Sequence, residues 1–274
     1  RHDLTRLVRE HDIDIVVVAI SRTPQIHPQL FRAMLECREQ NVRIEPMTNL
    51  YERLTGRVPV EYAGNDLYVV MPLNDSATRR IFAAGKRLCD LFAASFGCLL
   101  LAMIAPMVAL ANAIWSPGPL FFRQVRVGQG GRLFSLLKFR SMIPEAEEGC
   151  GAVWASENDD RVTPVGHFLR KTRLDELPQA MNILRGEMSL VGPRPERPEF
   201  VADLIETIPF YQARHAMRPG LTGWAQVRYL YGNSVEDSLV KLQYDLYYIK
   251  RLSVYLEASI LVKTAAVMLK GEGR

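Results

Sequence analysis

From residue 91 to residue 114 the chain carries no charged side chain, and no other feature narrows its fold so much. If helical and straight, roughly 24 residues at about 1.5 Å each would cross the hydrocarbon core of a bilayer. Pro106 lies inside the run. It removes a backbone donor and crowds the preceding turn, which predicts a break between arms of about 15 and 9 residues, neither long enough to span alone. Lys86 and Arg87 precede the run, and Arg123, Arg126, Arg132 and Lys138 follow it. Cytoplasmic flanks of membrane segments are enriched in Lys and Arg, so basic residues on both sides favour a re-entrant helix-break-helix with both ends in the cytoplasm. Two alternatives stand beside it. One is a bitopic span in which Pro106 only kinks the helix; the other is a buried core helix, which the length and uniform apolarity of the run disfavour.

The rest of the composition is that of a folded protein of one or two domains: 274 residues, 48% hydrophobic and 23% charged, which excludes general disorder. The net charge is only +4, but Lys and Arg crowd residues 123–140 while 145–160 is acidic. A local basic face suits a phosphate-bearing substrate or an anionic membrane surface better than a nucleic-acid track, and no nucleic acid is expected as a partner. Cys37, Cys89, Cys98 and Cys150 form no CxxC pair and read as reduced thiols. The chain starts at Arg1 with no secretory leader, and we expect it to be a fragment of something longer.

Before the apolar run, 13–20 reads as a buried strand, 29–39 as a helix, 42–46 as a second strand and 68–71 as a further one. Strand, helix, strand predicts a parallel α/β sheet, a partial Rossmann-like domain over 1–80 whose missing half lies upstream. No GxGxxG loop is present to hold a dinucleotide. A membrane hairpin over 81–122 and a mainly helical α+β catalytic domain over 123–274 follow. Near the end, 254–270 spaces apolar residues around a helix suited either to the membrane interface or to core packing.

Asp175 and Glu176 in RLDELPQ are the acidic pair with the most suggestive surroundings. Adjacent carboxylates before a helix commonly serve the helix dipole, with Pro178 at the first turn and Gly186 at the stop. Arg170, Lys171 and Arg173 lie within five residues of Asp175, however, and cations so placed can hold substrate phosphates while a carboxylate attacks or holds a metal. Lys138 and Arg140 flank Phe139, an alternation that puts both cations on one face of a strand. Arg194 stands between Pro193 and Pro195, a rigid setting suited to bidentate phosphate binding, and Arg218 before Pro219-Gly220 is similar. Zinc spacing, a Walker loop and a GxSxG elbow are all absent from the sequence, whereas magnesium held by carboxylates and substrate phosphates is compatible with it.

KRLCDLF, the proline-interrupted apolar run, SPGPLFFRQVRVGQGGRLFSLLKFRSM, LRKTRLDELPQAMNILRGEMSLVGPRPE, MRPGLTGWAQV and YDLYYIK follow one another in unbroken order. In this series the chain resembles the bacterial sugar transferases known as monotopic phosphoglycosyl transferases. The resemblance covers residue 86 to the C-terminus, and the N-terminal part looks like the tail of the nucleotide-binding-like domain of larger members. It implies transfer of a sugar 1-phosphate from a UDP-sugar to polyprenol (undecaprenyl) phosphate, with UMP released, as the first membrane step of exopolysaccharide or O-antigen assembly.

By the same resemblance Asp175 is the nucleophile that forms a covalent sugar-phosphoryl enzyme. Glu176 assists it and shares a Mg2+ site with it, and Lys138, Arg140, Arg170, Arg194, Arg218 and Asp245 bind phosphate and nucleotide. The resemblance also implies residence in the bacterial inner membrane with the catalytic domain facing the cytoplasm, and it leaves a homo-oligomer open. Small members place Ser before the helix-breaking proline where this chain has Ala105, so a carbonyl freed by Pro106 needs another partner. The rival from another class is a non-catalytic membrane scaffold for polysaccharide assembly, which would need no basic cluster around a carboxylate pair.

Overall fold

The computed structural model describes residues 3–19, 27–62, 77–144, 146, 159–229, 232 and 234–269. The chain divides into two compact units, 1–70 and 71–274. In the first, α1 (Asp3–Glu10) leads into β1 (Ile15–Val18), α2 (Pro28–Glu39), β2 (Arg43–Pro46) and α3 (Met47–Thr55). The β-branched run IVVV favours extended backbone. It pairs in parallel with β2, Ile15 opposite Arg43, and α2 supplies the crossover that parallel neighbours require. Val8, Cys37 and Val42 form the core beneath them. The expected order of strand, helix and strand is therefore present, while the strand expected at 68–71 lies outside the described residues.

The second unit is organised by α4 (Ala77–Trp115), the one helix among the described residues long and apolar enough to cross a membrane. Its helical assignment continues through Pro106. The sequence reading expected two arms separated by a break; here packing on both sides of the proline offsets the lost backbone bond, since Leu101 and Val108 belong to one core cluster with Phe139 and Leu169. Asp90, Ala94, Leu101, Val108 and Asn112 form a buried ridge at helical spacing, and Gly97 lets the helix approach Ala180 closely. The opposite face, Leu88, Phe92, Phe96, Leu99, Met103, Met107, Leu110 and Ile114, is exposed and apolar throughout.

After α4 come β3 (Phe121–Val127) and β4 (Leu133–Phe139), an antiparallel hairpin with Phe122 opposite Lys138. Then follow α5 (Pro164–Lys171), a 3-10 turn (Leu174–Glu176), α6 (Gln179–Arg185), β5 (Ser189–Val191) and α7 (Pro198–Thr207). A second 3-10 turn (Tyr211–Ala216) leads to β6 (Gly220–Thr222), α8 (Trp224–Arg228), α9 (Val235–Lys250) and α10 (Val254–Leu269). β5 and β6 pair in parallel. In α10, Leu256 and Ile260 are buried while Val254, Tyr255 and Val262 are exposed, so the helix packs on the core by one face and leaves an apolar one outside. Cys37, Cys89 and Cys98 are free thiols; Cys150 lies outside the described residues.

Candidate active site

Three local devices bring the acidic pair to the end of β4. Asn182, fully buried on α6, accepts from the Leu137 N–H at 3.1 Å and donates to the Ser135 carbonyl at 2.7 Å, pinning α6 across the strand. Thr163 caps α5, and Gly166 inside that helix lies against the Ser141 carbonyl, where an added Cβ would fall 1.9 Å from the oxygen. Arg173 then takes a left-handed conformation, φ +58°, which costs a non-glycine residue on the order of 1 kcal/mol. That turn drops Leu174 and Leu177 into the core with Phe139 and leaves Asp175 and Glu176 beside Lys138.

Around the pair the cations are close. Lys138 Nζ lies 3.0 Å from Glu176 Oε1 and 3.9 Å from Asp175 Oδ2. Arg194 Nη2 is also 3.0 Å from Glu176 Oε1, and Arg173 Nη1 is 3.9 Å from Glu176 Oε2. Both carboxylates are buried, yet their environments differ. Burial pushes the Asp175 carboxyl above its ordinary value, against the pull of Lys138, Arg173 and Arg170. Burial acts on Glu176 in the same direction, but Lys138, Arg194 and Arg173 outweigh it and hold that carboxyl far below its usual value. Asp175 Oδ1 is buried without a hydrogen-bond partner among the described residues. Glu176 is thus an anion neutralised by its neighbours, while burial destabilises the charged form of Asp175.

Arg194 is held from behind. Four consecutive carbonyls, of Pro193, Arg194, Pro195 and Glu196, accept hydrogen bonds from Gly220 N, Arg214 Nη2, Arg126 Nη1 and Val127 N, at 2.9, 2.9, 3.0 and 2.9 Å. Gly192 and Gly220 make this approach feasible, since a Cβ on either would strike the other segment's backbone. β5 is itself tied to the long helix, where buried Asp90 accepts from Ser189 Oγ at 3.1 Å and Leu190 N at 2.9 Å.

The structure gathers Lys138, Asp175, Glu176 and Arg194 into one site. Arg170 stands at its edge, donating to Ser141 Oγ at 2.9 Å while its charge reaches Asp175. Arg218 is half-buried just before β6, and no hydrogen bond or ion pair among the described residues ties its side chain to the site.

Two of the expected site residues have other partners. Arg140 is buried, and its guanidinium is committed to the turn after the long helix: the Pro119 carbonyl at 2.7 Å, Ser116 Oγ at 3.0 Å and the Ser116 carbonyl. It clamps that helix end to β4, leaving it no fork to offer a phosphate. Asp245 is 1% exposed and bonded to Arg214 at 2.8 Å in the interior. Burial, offset in part by Arg214, pushes its carboxyl up to about 6.

Arg214 and Asn182 were not singled out from the sequence. An Arg within YQARHAM and an Asn within a short helix carry no motif signal, and their partners lie 31 and 45 residues away.

Residues 81–271 match the family described as bacterial sugar transferase. The chain is 39% identical over 273 residues to the UDP-N-acetylgalactosamine-undecaprenyl-phosphate N-acetylgalactosaminephosphotransferase of Aeromonas hydrophila, covering 98% of this chain and 63% of that protein. It is 44% identical over 189 residues to the UDP-glucose:undecaprenyl-phosphate glucose-1-phosphate transferase of Caulobacter vibrioides, covering 67% of this chain and 69% of that one. The protein of the same name from Escherichia coli is 40% identical over 197 residues, covering 71% of this chain and 42% of the relative. The chain thus spans less than two thirds of the length of the Aeromonas hydrophila and Escherichia coli relatives. With a family match over most of its length, one relative matching along nearly the whole of it, and an acidic pair gathered with Lys138 and Arg194 in one site, the chain belongs to the bacterial sugar transferase family.

Proposed function

We propose that the chain transfers a sugar 1-phosphate from a UDP-sugar to undecaprenyl phosphate, as the names of its relatives describe for those proteins. The observation that carries the mechanism is the buried Asp175 Oδ1, unpartnered among the described residues, amid Lys138, Arg173 and Arg170. Asp175 attacks the β-phosphorus of the donor. A bond forms from its carboxylate oxygen to phosphorus, the bridging phosphorus–oxygen bond breaks, and UMP departs with the electron pair. A phosphate oxygen of the lipid then attacks the same phosphorus and returns Asp175 to its free form. Dividing the transfer in this way lets a water-soluble donor and a membrane-bound acceptor use one site in turn. Lys138 and Arg194 lower the repulsion between the attacking carboxylate and the anionic diphosphate, and Glu176 keeps those two cations aligned.

Magnesium fits this donor set through Asp175, whose free oxygen is a hard ligand, with substrate phosphates completing the shell. Glu176 is a poorer ligand, because cations already face its oxygens. When bound, the metal would supply further charge neutralisation at the phosphates.

For the membrane we favour the re-entrant, monotopic arrangement at the cytoplasmic face of the bacterial inner membrane, with the long helix bending at Pro106 while staying helical on both sides of it. Before the apolar run, Lys86 bonds Glu257 at 2.8 Å and Arg87 bonds the Ile183 and Leu184 carbonyls. After it, Arg140 holds Ser116. Both ends are thus tied to one catalytic unit, whereas a bitopic span would part them by roughly 30 Å of hydrocarbon. The N-terminal unit we read as part of a Rossmann-like sheet, on its parallel pair and crossover helix.

Replacing Asp175 with Asn should abolish UMP release from UDP-glucose and UDP-N-acetylgalactosamine. Retained release would refute the nucleophile.

A further inference from the structure

We propose that Asp245 and Arg214 form a buried positioning pair that acts through Arg194, fixing the backbone from which that guanidinium reaches Glu176 and the donor phosphates. The inference rests on the function proposed above and extends it to residues that touch no substrate. Asp245 projects from α9, and its Oδ2 lies 2.8 Å from Arg214 Nη2. The same nitrogen donates to the Arg194 carbonyl at 2.9 Å, so one guanidinium edge joins the acid to the loop. The other nitrogen, Nη1, donates to the Tyr211 hydroxyl at 2.6 Å, and the guanidinium lies over the Tyr211 ring, 5.1 Å from its centroid. Asp245, Arg214 and Tyr211 are all buried.

The chemistry favours positioning over stability as the purpose of this pair. A buried ion pair gains little over apolar side chains of the same size, so stability alone does not account for this one. Of the four carbonyls gripped at residues 193–196, two are held by backbone N–H groups and one by Arg126, a half-buried side chain. The carbonyl of Arg194 itself is held by a side chain that Asp245 in turn orients. Prolines on both sides restrict the backbone torsions, and the pinned carbonyl fixes the peptide plane between them. Arg194 leaves this base with its side chain 41% exposed, open to a ligand at the far end and rigid at the near one. Supporting shells of this kind keep a functional side chain within a fraction of an ångström of its working geometry.

The test uses the full chain in detergent, with Asp245→Asn and Arg214→Lys made in the wild-type and Arg194→Met backgrounds. The Asn variant keeps the shape of Asp245, and Lys keeps the charge of Arg214 while losing the two-nitrogen edge. Release of UMP from UDP-glucose and UDP-N-acetylgalactosamine is measured, and the Arg194 Nε–H resonance is followed in protein labelled at arginine.

Each single variant should lower kcat by about tenfold with little change in KM, and should cost less than about twofold once Arg194 is Met, because residues acting through a shared partner are non-additive. The Arg194 resonance should become mobile in Asp245→Asn, with that of Arg126 unchanged. Equal losses in both backgrounds, or an Arg194 resonance as ordered in Asp245→Asn as in wild type, would overturn the proposal. If the wild type releases no UMP from either sugar nucleotide, the transferase reading fails for these donors, and the Arg194 resonance alone decides the positioning role.

Discussion

Lys138 is the cation whose removal should most directly change the chemistry of Asp175. Its ammonium lies 3.9 Å from Asp175 Oδ2, a separation at which two unit charges interact by about 4 kcal/mol at an effective dielectric constant of about 20. The Lys138 side chain is 24% exposed, and water would replace part of its effect, so the net loss on substitution should be about 1 to 3 kcal/mol. Lys138→Met should therefore raise the Asp175 pKa further, by the equivalent of that energy. The sign follows from the geometry: burial already raises this carboxyl, and Lys138 is the largest influence opposing it. A nucleophilic carboxylate must be ionised, so the acid limb of kcat/KM for UMP release, measured at fixed magnesium, should move to higher pH by that amount. Loss of a phosphate contact would lower the whole profile but leave the limb where it was. A limb that stays in place, or moves to lower pH, would refute the coupling of Lys138 to Asp175.

Glu176 and Arg140 give independent checks. The Glu176 carboxyl is held below its ordinary value of 4.5, so its contribution to stability is fully present above that pH and is lost as pH falls. Glu176→Gln should therefore flatten the acid side of a thermal-stability profile and cost about 3 kcal/mol at neutral pH, where three cations lose their partner. Arg140→Lys should lower Tm by the equivalent of about 2 kcal/mol, because one ammonium does not replace a fork that reaches Ser116 and Pro119 together. A raised KM for the sugar nucleotide at unchanged Tm would instead restore Arg140 to the phosphate site.

Much of this architecture is legible in the sequence because its causes are local. The uncharged stretch through residue 114, the alternation of IVVV with a helix, and the carboxylate pair crowded by Arg170 and Arg173 all report on neighbours within a turn or two. Arg140 illustrates what is not legible. Alternation along LLKFR puts it beside Lys138, yet its partners are a turn 21 to 24 residues earlier, reached only when α4 has docked on β4. Asp245 is similar, since its acidity suggests a ligand until Arg214 is found beside it in the interior. The intrinsic cost of Pro106 to a helix predicts an interruption, while Leu101 and Val108 pack into one cluster across it. In each case a tertiary contact decides between roles that the residue type leaves open.

The central claim is that Asp175 carries the sugar phosphate between donor and acceptor. Intact-mass measurement of the protein incubated with magnesium and a UDP-sugar, with the lipid acceptor withheld, tests it directly. A mass increase of one sugar phosphate, mapped by peptide fragmentation to Asp175, discharged on adding undecaprenyl phosphate and absent from Asp175→Asn, is the expected result. Turnover to lipid-linked product with no such adduct, or an adduct that persists in Asp175→Asn, would contradict it.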